Sequence, residues 1–206
     1  MKPVTVIGIS GGTCSGKTLV AKRIVEQVGE DNVLICNQDN YYRDLRDLNS
    51  EERANWNFDR PEAIDRPLFY QLMTELANGK SVDEPIYDFV NHVRTAKTRR
   101  LDPKPVLIIE GILVLNDSVI RDLLDFKIYV DEDSDIRLAR RIQRDEMERG
   151  RSANSVLDQY LNTVRPMHLK YVEPSKLYAD IIIPGGGENL AAIGVLANHI
   201  KTLLAQ

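Results

Sequence analysis

The chain has 206 residues, a length that one domain, or one domain with an attached lid, fills without a disulfide or zinc staple. Its 43% apolar and 28% charged residues exclude a disordered polymer. With 27 Lys and Arg against 31 Asp and Glu, the net charge of −4 argues against a nucleic-acid partner, so any anionic ligand must be met by a local cluster of basic groups. Cys14 and Cys36 form neither a CxxC nor a metal-ligand spacing, which fits a reduced, cytoplasmic chain. No apolar run approaches the roughly 20 residues that cross a bilayer, and Met1 to Ile7 reads as a strand start without a signal-peptide apolar stretch, so no membrane partner is expected.

In chain order, Val4–Ile9 is a β-branched apolar run that enters a Gly-rich stretch. A helical pattern follows, with Leu19, Val20, Ile24 and Val28 on one face and Gly29 as its stop. Val33–Cys36 reads as a buried strand. Leu68–Ala77 reads as a helix between Pro67 and Gly79. Val106–Ile109 and Phe126–Val130 are strands, and Asp133 opens a helix lasting to about Arg149, where Gly150 breaks it. Ser152 or Asn154 caps a further helix towards Val164. Asp180–Ile183 is a strand ended by Pro184-Gly185-Gly186-Gly187, and Asn189–Leu204 is a final amphipathic helix. Short unalternating strands separated by helices predict a parallel sheet covered on both faces. The polar stretch from Asn37 to Pro105 interrupts this alternation. Within it, Pro85–Arg94 followed by Thr98–Leu101 predicts a hairpin outside the sheet.

Gly11-Gly12-Thr13-Cys14-Ser15-Gly16-Lys17-Thr18 matches the P-loop pattern GxxxxGK[ST]. A strand precedes it and an amphipathic helix follows, which argues against a Gly-rich turn that merely contains Lys-Thr. Its glycines let successive backbone N–H groups point at phosphate oxygens, and the helix N-terminus adds positive potential. Lys17 can reach the outer phosphates and the Thr18 hydroxyl can ligate Mg²⁺. Cys14 carries no mark of a nucleophile. The cradle implies nucleoside triphosphate binding but not the reaction, because kinases and switches share it.

Asp39 follows the second strand and falls at the carboxyl edge of the sheet, beside the cradle. There it reads equally as a general base or metal-side carboxylate and as a solvated turn residue. Glu110 ends an apolar strand as a Walker-B acid does. It reads as a Mg²⁺-side carboxylate or as a strand-end acid in solvent, and the following Gly111 favours the first. Arg137, Arg141 and Arg144 share a helical face, with Arg140, Arg149 and Arg151 close by, while Leu138 and Ile142 lie on another face and could anchor the helix. The i,i+4 pairs Asp133–Arg137, Arg141–Asp145 and Arg144–Glu148 would account for that charge on an exposed helix. Beside a P-loop in a mildly acidic chain, the same cluster reads as a lid that stabilises a transferring phosphoryl group and excludes water. No Asn-Lys-x-Asp guanine motif is present, which argues against a GTPase switch without excluding GTP as a donor.

The segments GGTCSGKT, NQDNYY, NFDRPEAID, YDFVNHVR, IIEGIL, RLARRIQRD…ERGR and YADIIIP occur in this order over nearly the whole chain, and together resemble the uridine kinase (uridine–cytidine kinase) family. The resemblance implies one P-loop kinase domain over 1–206. It would be an α/β fold with a doubly wound parallel five-stranded sheet, a β-hairpin insert within about 40–104 and an Arg-rich helical lid at about 133–165. It implies transfer of the γ-phosphoryl of ATP or GTP to the 5′-hydroxyl of uridine or cytidine with Mg²⁺, in a cytosolic homotetramer under end-product control by CTP or UTP. By the same analogy Asp39 is the base, Asp59 accepts from the ribose hydroxyls with Arg141 assisting, and Tyr87 and His92 face the pyrimidine edge with Phe89 on the ring. Arg144 and Arg149 serve the phosphates, Arg151 and Gln159 reach back to the nucleoside, Thr18, Asp39 and Glu110 surround Mg²⁺, and Glu188 lies near the donor base. On the residues alone, hairpin packing for Tyr87 and Phe89, a surface position for His92 and a turn before Arg60-Pro61 for Asp59 each rank above the site role. A relative acting on another alcohol, such as phosphoribulokinase or pantothenate kinase, shares the cradle and lid. The Tyr87-x-Phe89…His92 segment argues against both.

Overall fold

The computed structural model describes residues 4–205; Met1–Pro3 and Gln206, the ends of the expected 1–206 domain, lie outside the described residues. The strands are β1 (Thr5–Gly11), β2 (Val33–Asn37), β3 (Val82–Asp88), β4 (Val93–Leu101), β5 (Val106–Glu110), β6 (Phe126–Asp131) and β7 (Ile181–Pro184). The α-helices are α1 (Lys17–Val28), α2 (Ser50–Ala54), α3 (Arg66–Ala77), α4 (Ser118–Arg121), α5 (Ser134–Arg149), α6 (Ala153–Gln159), α7 (Arg165–Met167) and α8 (Leu190–Leu204).

Five strands form a parallel sheet in the order β2-β5-β1-β6-β7. Both faces are covered, so its strands carry apolar residues on both sides. Ile7, Ile9, Ile108, Ile128 and Val130 pack with Val20 and Ile24 of α1 and Ile193 and Leu196 of α8. Val6, Leu107, Ile109 and Tyr129 pack with Phe69, Leu72, Met73 and Leu76 of α3. Each such fully buried Leu, Ile or Phe stabilises the fold by about 1.5–3 kcal/mol. β1 runs two residues past the expected Ile9, because Ser10 and Gly11 still pair with Tyr129 and Val130 of β6. The carboxyl ends of β1, β2 and β5 therefore bring Gly11, Asn37 and Glu110 to one edge, with Asn37 and Glu110 opposite each other.

Caps explain most helix boundaries. Asp65 accepts from the Leu68 N–H ahead of α3, Asn189 accepts from Ala192 ahead of α8, and Asn49 with Glu52 makes a capping box on α2. Ser152, not Asn154, caps α6, accepting from Ser155 N–H at 3.3 Å. Two helical expectations are corrected. Leu19 is 37% exposed; the inward stripe of α1 is Lys17, Val20, Ala21, Ile24 and Val28, and Leu19 lies over Gly187 instead. The helix after Ser152 does not stop at Val164. It continues through π turns at Tyr160–Val164 and His168–Val172 and a 3₁₀ turn at Glu173–Tyr178. Pro166 has no N–H to give and its ring crowds the preceding turn, and a widened turn relieves both defects.

The insert carries the antiparallel β3–β4 hairpin outside the main sheet, as expected, but its turn lies at 89–92 and not after Arg94. Asp88 sets that turn: its carboxylate accepts from Val90 N–H at 2.9 Å, Asn91 N–H at 3.0 Å and the Asn91 amide at 2.7 Å. A bulge between Pro85 and Tyr87 shifts the alternation, turning Tyr87 inward and Ile86 outward. Among the described residues no helix is long and apolar enough to cross a membrane.

Candidate active site

The loop from Gly11 to Thr18 has the conformation its glycines permit. Gly16 is left-handed, with φ 94°, and starts α1; Cys14 has φ 57°. A side chain at Gly12 would collide with the Arg137 guanidinium, and one at Gly186 would meet the Ser15 carbonyl, so the 185–188 turn closes on the loop. The buried Lys17 Nζ donates to the Gly11 and Gly12 carbonyls at 3.1 and 2.9 Å. Burial lowers its pKa, against the opposing charges of Glu110 and Asp39. Thr18 Oγ1 donates to Glu110 at 2.8 Å and Asn37 donates to the same oxygen at 3.1 Å. Glu110 is thus a buried carboxylate with its pKa raised by burial, and the reading of a strand-end acid in solvent fails. Gly111 is required by the Gln38 side chain, which a Cβ there would strike. Glu188 reaches the wall of the cradle's cavity and pairs with Arg23 at 3.4 Å.

A second, larger cavity of about 600 Å³ adjoins the cradle. It is lined by Asp59, Tyr87, Phe89, His92, Arg141, Arg144, Arg149, Arg151 and Gln159, which brings the expected acceptor-side residues together. Thr13, Asp39, Ile112 and Arg144 line both cavities. Asp39 sits in a 3₁₀ turn, Gln38–Tyr41, and its own N–H donates to the Asn37 side-chain oxygen at 2.8 Å. Asp59 is buried; Asn57, not Asp59, makes the turn hydrogen bond, accepting from Asp59 N–H at 3.1 Å. Burial raises the pKa of Asp59 and the Arg141 charge offsets part of that rise. The Tyr87 hydroxyl is buried without a hydrogen-bond partner. His92, with φ 57° in the hairpin turn, stacks near Phe58 at 4.8 Å, and burial followed by Arg149 and Arg151 lowers its pKa, keeping it neutral at pH 7. Arg149 lies over Phe89 at 5.9 Å.

Sequence reasoning missed three aromatic walls. Tyr42, Phe58 and Trp56 line the larger cavity from the polar insert, which has no periodicity to flag them. Tyr42 and Phe58 belong to the quoted NQDNYY and NFDRPEAID segments. The Tyr42 phenol is pushed well above its usual range by burial and by Asp39, to which it is hydrogen-bonded.

The arginine helix differs from both readings of its charge. Arg137, Arg141 and Asp145 are its buried face, while Leu138 and Ile142 are half-buried and do not anchor it alone. Of the three expected i,i+4 pairs, Arg141–Asp145 forms, at 3.8 Å. Arg137 instead reaches the Glu132 carbonyl and His168, and Arg144 turns to Asp145. Arg141 donates to Thr13 Oγ1 and to Gln159 Oε1, both at 2.9 Å, and Arg151 donates to the same Gln159 oxygen at 2.6 Å.

Beneath the loop, His168 Nε2 lies 3.2 Å from Arg137 and 3.3 Å from Glu173, with Lys17 and Tyr129 in the same network. Burial and then Arg137 lower the His168 pKa to about 4. The unfolded chain, with an ordinary imidazole, binds more protons below pH 6.5, so stability present above that pH is lost as pH falls towards 4. His168→Gln removes this loss. The thermal midpoint of the variant should fall less than that of the parent between pH 7 and 4, by about 5 °C. Parallel curves would show that His168 does not contribute.

Residues 6–192 match the family model described as the phosphoribulokinase/uridine kinase family. The uridine kinase of Ligilactobacillus salivarius (strain UCC118) is 49% identical over 203 residues, 98% of this chain and 95% of that protein. The uridine kinase of Staphylococcus carnosus (strain TM300) is 49% identical over 204 residues, 99% of this chain and 98% of that protein. Among solved structures, phosphoribulokinase from Rhodobacter spheroides aligns with a TM-score of 0.67 at 20% identity, over 89% of this chain and 71% of that one. D-glycerate 3-kinase from Cryptococcus neoformans aligns with a TM-score of 0.62 at 17% identity, over 85% and 81%. These two share the fold alone. A cradle with Lys17 and Thr18, a family match over most of the chain and relatives nearly half identical from end to end lead to one conclusion: this chain belongs to the phosphoribulokinase/uridine kinase family.

Proposed function

We propose that the chain transfers the γ-phosphoryl of ATP, or of GTP, to the 5′-hydroxyl of uridine or cytidine, giving UMP or CMP. The observation that carries this reading is the position of Asp39 on the wall shared by the phosphate cradle and the aromatic cavity. Asp39 takes the proton of the attacking hydroxyl as the new oxygen–phosphorus bond forms. The bond from the γ-phosphorus to its bridging oxygen breaks, and ADP leaves with that electron pair. Lys17 swings from the Gly11 and Gly12 carbonyls to the outer phosphate oxygens, and Arg144 and Arg149 hold the charge that develops on the transferring group. Asp59 with Arg141 receives the ribose diol. Tyr87 and His92 read the pyrimidine edge over Phe89, and a neutral imidazole can accept or donate one bond, which suits uracil O4 or cytosine N4 alike. Arg151 and Gln159 close the nucleoside side, and Glu188 faces the donor base.

The donor set fits Mg²⁺. Thr18 Oγ1, Glu110 and Asp39 are hard oxygen donors on one cavity, and Glu110 is a buried carboxylate. No group of three or more His, Cys, Asp or Glu among the described residues forms a dedicated cage, as suits an ion that keeps water and phosphate ligands. Thr18, Asp39 and Glu110 would hold Mg²⁺ there, and the ion would neutralise charge on the triphosphate. The proposal includes one kinase domain with its insert and lid, and a cytoplasmic homotetramer restrained by CTP or UTP.

A phosphoryl-acceptor panel with ATP and Mg²⁺ tests it. Uridine and cytidine should exceed thymidine, ribulose 5-phosphate and pantothenate in kcat/KM by about 10²-fold or more. Absence of UMP and CMP would sink the proposal.

A further inference from the structure

Asp145 is fully buried at the C-terminal end of α5 and touches four guanidinium groups. Its Oδ1 accepts from Arg144 Nε at 2.9 Å and Nη2 at 2.7 Å, and lies 3.6 Å from Arg149 Nη1. Its Oδ2 lies 3.8 Å from Arg141 Nε and 3.6 Å from Arg151 Nη1. Its backbone carbonyl accepts from the N–H groups of Gly150 and Arg151, so the same residue also fixes the turn that carries Arg151 back. Four cations held this close repel one another. The Arg151 guanidinium is pushed below its usual value by burial and by Arg141, Arg149 and Arg144, with Asp145 opposing.

From this geometry we propose that Asp145 is a positioning residue: one buried carboxylate orients Arg144 and Arg149 towards the transferring phosphoryl group and Arg141 and Arg151 towards the nucleoside, touching neither ligand. The inference rests on the roles given to those arginines in the proposed phosphotransfer. Two orphan atoms support it. Asp145 Oδ2 and Arg141 Nε are both buried without a hydrogen bond, and they face each other at 3.8 Å. Closure by about 1 Å brings them to hydrogen-bond distance. Arg141 also holds Thr13 of the phosphate loop, so that closure draws the nucleoside side and the cradle together.

The test is a double-mutant cycle of Asp145→Asn and Arg144→Ala, with kcat expressed per ATP-binding site and the thermal midpoint measured alongside. The parent is first assayed on the acceptor panel. If it prefers another alcohol, the proposed substrate fails and the cycle is run on that alcohol. Asp145→Asn should lower kcat by about 10²-fold with the ATP Kd changed less than threefold, and the two substitutions together should cost far less than the product of their separate losses. A loss under threefold, or losses that multiply, would overturn the proposal, because a residue that merely stabilises the fold would not depend on Arg144. Should the Asn variant not fold, the parent bound to uridine and a non-hydrolysable ATP analogue decides the matter in a crystal. Asp145 Oδ2 within hydrogen-bond distance of Arg141 Nε supports it, and Asp145 parted from the arginines overturns it.

Discussion

Asp39→Asn should lower kcat by about 10²–10⁴-fold while ATP binding persists. The substitution keeps the shape of the side chain. The N–H at position 39 still donates to Asn37 Oδ1, so the 3₁₀ turn that aims the residue is kept. What is lost is the ability to take a proton, since an amide cannot serve as base near neutral pH. The lost negative charge also faces Lys17 and Glu110. Removing it eases repulsion against the incoming triphosphate but weakens one donor to Mg²⁺, and because the amide oxygen remains as a neutral donor the ATP Kd should change little. Steady-state UMP formation with calorimetric ATP binding separates the two effects. Turnover within threefold of the parent would remove Asp39 from the base role and leave it as a metal-side or turn residue.

The parts of the molecule that local chemistry dictates were legible in the sequence. The P-loop needs particular glycines and a Lys-Thr at fixed spacing, and the parallel strands are short runs such as Val106–Ile109 that suit nothing else. What was not legible depends on contacts distant in sequence or on a charge being buried. Asp145 looked like one half of a surface pair, because helical periodicity counts Arg and Asp as outward residues; its burial requires four guanidinium groups, three from its own helix and Arg151 from the turn that follows it. Tyr42 and Phe58 sit in a segment without a regular period, so only the fold brings their rings within 5.1 Å of each other beside the cavity. The hairpin turn was misplaced because Val90 to Val93 resembles strand, whereas three hydrogen bonds to Asp88 and a left-handed His92 make it a turn. That error matters for function, since the turn is what carries His92 against Phe58.

Asp59→Asn should cut kcat/KM for uridine by about 10²–10³-fold and for 2′-deoxyuridine far less, so discrimination between the two sugars largely collapses. A buried carboxylate offers acceptors to both hydroxyls of a ribose diol, and an amide offers one acceptor and a donor that meets a hydroxyl proton. A sugar lacking the 2′-hydroxyl leaves that buried charge short of a partner, and this cost sets the parent's preference. Arg141 keeps Thr13, Gln159 and Asp145 in the variant, so the lid is held by contacts other than Asp59. The pH dependence gives an independent check. Burial raises the Asp59 pKa, with Arg141 only partly offsetting it, so the carboxylate is protonated at a higher pH than an ordinary Asp. The acceptor is complete above that pKa and is lost as pH falls through it. The uridine KM of the parent should therefore climb as pH falls through that raised pKa, while that of Asp59→Asn stays flat over the same range. A variant that still rejects 2′-deoxyuridine, or that keeps the parent's acid limb, would show that the ribose is read by another group.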